Sequence, residues 1–123
     1  MSCDRFIYFE TLPDPAEIRR FVTSWIGLGD AAIADFPSRR ADCPDFIVNL
    51  LGTGFDPRGV GSIRAERWIE FRFQDRDEDD GPEPLEPSID VLTRDQDDLV
   101  HCIARGLADR IAALFNGRRE TDG

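Results

Sequence analysis

Arg64-Ala-Glu-Arg-Trp-Ile-Glu-Phe-Arg-Phe-Gln74 is the stretch whose pattern decides the fold. Ile69, Phe71 and Phe73 fall on every second position, with Trp68, Glu70, Arg72 and Gln74 between them. Successive side chains of a strand point to opposite faces, so this period of two predicts a β-strand with one apolar face turned to a core. The intervening mixture of aromatic and charged residues predicts that the other face is open and the strand half exposed. A sheet with one apolar face needs a second layer, and the flanking sequence supplies helices for it.

On the N-terminal side, Asp14-Pro15-Ala16-Glu17 reads as a helix start. Asp14 can cap, Pro15 suits the first helical position, and Glu17 stands where a capping box closes. Ile18, Phe21, Val22, Trp25 and Ile26 then follow at helical spacing as one apolar stripe, ended by Gly27-Leu28-Gly29. On the C-terminal side, Thr93-Arg94-Asp95-Gln96 reads as a second capping box. Leu99, Ile103, Leu107, Ile111 and Phe115 follow it as a stripe, and Gly117 is the expected stop. About 22 residues at 1.5 Å each predict a rod of roughly 33 Å. Further strands are expected at Arg5–Glu10, Ala31–Phe36, Phe46–Leu51 and Ile89–Leu92.

The predicted fold is therefore α+β, a two-layer sandwich in the order β-α-β-β-β-(β)-α. A mostly antiparallel sheet of four or five strands carries two helices on one face. The 123 residues suit a single domain, 1–123, that buries about two-thirds of its unfolded surface. No apolar run approaches the roughly 18 residues of a membrane span, and Met-Ser-Cys-Asp-Arg does not read as a signal peptide. All 15 basic residues are arginine, a bias that fits a GC-rich coding sequence, and a bacterial, cytoplasmic protein is expected. Schiff-base chemistry and a phosphate-loop lysine are excluded within this chain. One histidine excludes His-rich zinc sites. Cys3, Cys43 and Cys102 are odd in number and scattered, which points to reduced thiols.

Several stretches imitate known sites. Gly52–Gly61 has the first half of a phosphate-loop pattern, but Val60 stands where lysine is required and Pro57 spoils a dinucleotide fingerprint. A connection between strands is the plainer reading. Asp75, Asp77, Asp79 and Glu86 mimic a calcium loop, yet Asp80 occupies the sharp-turn glycine position and Pro82, Pro84 and Pro87 forbid the exit helix. His101 adjoins Cys102, but neighbours on a helix do not face each other; Asp97 and Arg105 are the residues expected within its reach. No catalytic residue, cofactor or metal site is predicted.

Charge is the strongest functional signal. Residues 75–98 hold eleven carboxylates and two arginines, a net of −9, while the other 99 residues sum to −1. Such a field repels nucleic acid and anionic membrane, and it steers cationic proteins. The expected function is that of a small, non-enzymatic acidic protein working through protein contacts, such as an inhibitor or immunity-type protein for a partner with a basic surface. The candidate contact residues are Asp75, Asp77, Glu78, Asp79, Asp80, Asp95, Asp97 and Asp98, centred on an acidic, proline-broken loop at 75–87. Trp68, Glu70 and Arg72 are added as an aromatic and charged patch on the open sheet face. Two alternatives stand beside this reading. One is a ligand-binding or catalytic domain built on the glycine-rich loop 52–61 with Asp56, Arg58 and Arg64. The other is an accessory subunit whose oligomer seam includes Trp68.

Overall fold

The computed structural model of the chain describes residues 3–27, 33–35, 44–50, 68–74, 86–93 and 98–119. Elements follow in the order β1 (Cys3–Tyr8), α1 (Pro15–Ile26), β2 (Ile33–Asp35), β3 (Phe46–Asn49), β4 (Trp68–Gln74), β5 (Ser88–Thr93), α2 (Asp98–Leu114) and β6 (Arg118–Arg119). The strands form one sheet in the spatial order β2-β3-β4-β5-β1-β6, and every pairing is antiparallel. The α+β architecture and the element order are those read from the sequence. The addition is β6, a two-residue strand pairing Arg118 and Arg119 with Tyr8 and Ile7. Two residues carry no periodicity, so only the turn that precedes them could have betrayed the strand.

Local chemistry explains why α1 forms where it does. The Asp14 carboxylate accepts from the Ala16 N–H at 3.0 Å, and Pro15 occupies the first turn without wasting a donor. Gly27, at φ 74°, ends the helix in the left-handed region while its N–H donates to the Thr23 carbonyl at 3.0 Å. Ile18 and Val22 are fully buried, and Phe21 and Ile26 pack partly against the same core.

Helix α2 departs from expectation along its face. Thr93 closes β5, paired with Cys3 and Ile69, and the other members of the expected capping box, Arg94, Asp95 and Gln96, lie outside the described residues. The described part of the helix, Asp98–Leu114, is 17 residues or about 25 Å long. The core face is Val100, Ala104, Leu107, Ala108, Ile111 and Ala112, while Leu99 is 60% exposed. The cause is rotational: four residues advance a helix by about 400°, so each i+4 step drifts about 40°. A line from Leu99 to Phe115 therefore cannot stay on one face. Leu107 and Ile111 sit at its centre, Leu99 swings to the rim, and three alanines bring the helix close to the sheet.

Both helices cover the same sheet face. The shared core joins Ile18 and Val22 of α1 and the buried face of α2 to Ile7, Phe46, Val48, Ile69, Phe71, Ile89 and Val91. Phe46 stacks on Phe71 across β3 and β4, with ring centroids 4.8 Å apart. Arg19 of α1 lies 5.6 Å above the Phe46 ring. The Asp45 carboxylate accepts from the Phe73 N–H at 2.8 Å, extending the β3–β4 ladder by a side chain.

The opposite face corrects the expectation of an open surface. Ile47, Asn49, Trp68, Glu70, Ser88 and Leu92 are all buried there, Trp68 to 2%. Alternation separates two faces by polarity, but it does not measure exposure. A tryptophan hides as readily as an isoleucine, and Glu70 accepts from Arg72 Nη2 at 2.9 Å and Nε at 3.2 Å, which offsets its burial.

Helix α2 ends in a Schellman turn. The Gly117 N–H donates to the Ala112 carbonyl at 2.8 Å, and the left-handed residue is Asn116, at φ 59°, rather than the expected Gly117. Gly117 answers a different need. A Cβ there would lie 2.5 Å from Ile7 Cγ2 and 2.6 Å from Phe9 Cε1, so only glycine lets the chain pass over the core into β6.

Candidate functional site

Strands β1 and β5 run antiparallel for six residues, Cys3 opposite Thr93 and Tyr8 opposite Ser88. Chemistry-bearing side chains gather at both ends of this ladder and on its outer face.

At the Cys3–Thr93 end, Arg5 is 3% exposed, an unusual place for a guanidinium. Its Nη1 donates to Thr93 Oγ1 at 3.1 Å, and its Nη2 lies 2.8 Å from His101 Nδ1. Thr93 Oγ1 is also 3.1 Å from that Nδ1. A guanidinium can only donate, so Nδ1 accepts and the neutral ring carries its proton on Nε2. Burial lowers the Arg5 pKa from its ordinary value, with Arg105 and Arg119 adding repulsion, and nearby Cys3 and Asp90 opposing the shift. His101 thus has partners on β1 and β5 that its helical spacing did not suggest, while Asp97, one of the two partners expected on its own helix, lies outside the described residues. The Thr93–His101 distance is short enough for a base to activate a hydroxyl, but Thr93 is fully buried and Arg5 already engages the ring nitrogen. The cluster is a polar tie joining β1, β5 and α2.

On the outer face, Asp90 of β5 lies opposite Phe6 on one side and Arg72 on the other, with Asp4 on the diagonal. Arg72 turns toward Glu70 instead. Asp90 Oδ1 is buried without a hydrogen-bond partner. Desolvation first, then a hydrogen bond and repulsion from Asp4, push the Asp90 carboxyl from 3.8 up to about 8; the Arg5 backbone N–H and Arg72 pull the other way. The Asp90 carboxyl is therefore largely protonated at neutral pH.

The Tyr8–Ser88 end is open. A cleft of about 860 Å³ lies where β1 ends, β5 begins and α2 gives way to β6; its walls include Tyr8, Glu10, Glu86, Phe115, Asn116 and Arg118. Arg118 is 71% exposed; its Nη2 donates to Glu86 Oε2 at 2.6 Å, and its guanidinium carbon lies 5.5 Å from the Tyr8 ring centroid. Tyr8 in turn stacks on Phe6 at 6.1 Å. Arg119, beside it, donates to Asp109 at 2.9 Å and is largely covered. The last turn of α2 contains no basic residue, so the negative end of its dipole faces this region without a cation of its own.

Four of the sequence-predicted contact residues lie among the described residues. Trp68 and Glu70 are buried, Arg72 is partly exposed, and Asp98 is exposed in the first turn of α2. Asp75, Asp77, Glu78, Asp79, Asp80, Asp95 and Asp97 lie outside the described residues, as does the glycine-rich stretch 52–61. Their flanks are nevertheless placed. The run 75–85 joins Gln74 to Glu86, while 94–97 joins Thr93 to Asp98, at the other end of β5. Five strand steps separate those ends by about 17 Å. The cleft, which β6 helps to build, was missed from the sequence; the Arg118-Arg119 pair after a helix stop was its only trace.

Among the described residues, no three His, Cys, Asp or Glu side chains converge as metal ligands. No described helix is long and apolar enough to cross a membrane. Compared with protein-family models, curated proteins and solved structures, the chain matches none.

Proposed function

We propose that this protein works through protein contacts, as a small acidic module that docks on and occludes a cationic surface of a partner, in the manner of an inhibitor or immunity-type protein. The observation that carries the reading is the continuity of the acidic run with the cleft. Glu86, the last carboxylate of the run 75–87, lines that cleft together with Glu10 and the aromatic rings of Tyr8 and Phe115. Carboxylates steer a basic partner into encounter, and aromatic area holds it once water is excluded. Trp68 and Glu70 have no part in this contact, because both are buried. Asp98 lies in the first turn of α2, where an acid favours the positive end of the helix dipole.

The test is capture of a partner on immobilised protein, its identification by mass spectrometry, and calorimetry with the purified pair. Raising salt from about 50 to about 300 mM is expected to weaken binding at least about tenfold. Neutralising Asp77, Asp79 and Asp80 together is expected to weaken it comparably. A partner indifferent to both changes overturns the electrostatic reading.

A further inference from the structure

The cleft also contains a clue to the side chain it is built to hold. Arg118 shows how this surface receives a guanidinium: over the Tyr8 ring, its carbon 5.5 Å from the ring centroid, with an N–H on the Glu86 carboxylate. Yet Arg118 is held loosely, since most of its side chain faces water and an exposed ion pair is weak. Its neighbour is not loose. Arg119 is paired with Asp109 and mostly covered, and Gly117 is seated against Ile7 and Phe9. Strand β6 can therefore stay in place while Arg118 swings out.

We propose that this cleft is a socket for an arginine side chain of the basic partner, and that Arg118 is its resident occupant, displaced when the partner docks. The proposal rests on the contact function above and names the group that the contact takes. Three features select arginine over lysine. A planar guanidinium can lie over the Tyr8 ring as Arg118 does, it has separate N–H groups to offer Glu86 and Glu10, and it is less strongly hydrated than an ammonium. The negative end of the α2 dipole favours any cation here, and at about 860 Å³ the cleft has room for a peptide segment beyond one side chain.

Displacement gives the test an unusual sign. Calorimetry with hexaarginine and hexalysine peptides on the full chain is expected to show tighter binding of hexaarginine. Arg118→Ala, which removes the competitor, is expected to tighten hexaarginine binding about 3- to 10-fold, and Glu86→Gln to weaken it about as much, the scale of one exposed charge pair. Both substitutions are on the surface, and circular dichroism with thermal melting verifies that each variant is folded. An unchanged or weakened affinity in Arg118→Ala overturns the socket, as does equal binding of the two peptides. If hexaarginine binding responds to Asp77, Asp79 and Asp80 but not to Arg118 or Glu86, the socket falls while the acidic contact surface stands. If neither peptide binds at all, both readings fall.

Discussion

The two ends of the β1–β5 ladder carry the same side chain in opposite circumstances. At one end Arg5 is 3% exposed and bonded to Thr93 and His101; at the other the Arg118 side chain is 71% exposed and bonded to Glu86. Arg5 cannot leave without breaking its bonds to buried Thr93 and half-buried His101. Arg118 can leave at little cost, since water replaces Glu86. The difference teaches that burial, more than partner identity, decides whether an arginine binds the fold together or is available to be exchanged.

The largest expected effect comes from breaking the closed end. Arg5→Ala removes the guanidinium bonds to Thr93 Oγ1 and His101 Nδ1 and opens a void between β1 and α2. Urea unfolding should register a loss of about 3 kcal/mol, the scale of buried groups left unsatisfied. A loss below about 1 kcal/mol would mean that the tie is not structural. Gly117→Ala comes next, since it drives a methyl into Ile7 and Phe9 at the entry to β6. An overpacked core typically costs about 2 kcal/mol. The same unfolding measurement checks it, and the peptide affinity should fall along with the stability because the cleft wall moves.

A third test lies between the two ends, on the outer face. The Asp90 carboxyl titrates near 8 when folded against an ordinary 3.8, so the folded chain binds more protons than the unfolded chain between those values. Its contribution to stability is full below about pH 4 and is lost as pH rises through about 8. Asp90→Asn should flatten that slope and gain about 1 kcal/mol near pH 8, a figure kept small because water partly screens the group. Unfolding measured from pH 5 to pH 9 checks it; a slope unchanged in Asp90→Asn would rule out the raised Asp90 titration. Asp4→Asn should flatten the slope partly, by removing the repulsion while keeping a hydrogen-bond partner. The smallest effect is expected at the open end, where Arg118→Ala should shift the unfolding free energy by less than about 0.5 kcal/mol.

Much of the architecture was legible because it rests on local physics. Asp14, Pro15 and Gly27 set the limits of α1 through bonds within four residues, and Ile69, Phe71 and Phe73 mark a core face by period alone. Less of the site was legible. His101 has suitable partners on its own helix by spacing, but its bond is to Arg5, 96 residues away. Trp68 and Glu70 belong to a polar-looking face, yet burial is a property of everything that lies over a residue. The i+4 run from Leu99 misled for a simpler reason, since its drift around the helix axis accumulates over four steps.

The amino-acid sequence by itself determined every element but β6, their order, the antiparallel α+β class and the gathering of negative charge into residues 75–98. Capping, periodicity and charge density all act within a few residues of chain. Only the tertiary structure decided that one arginine is sealed between β1, β5 and α2 while another lies over Tyr8 at the edge of a cleft. It does so because antiparallel pairing brings chain ends into register that no local pattern connects, and because shielding from water depends on the whole packed assembly.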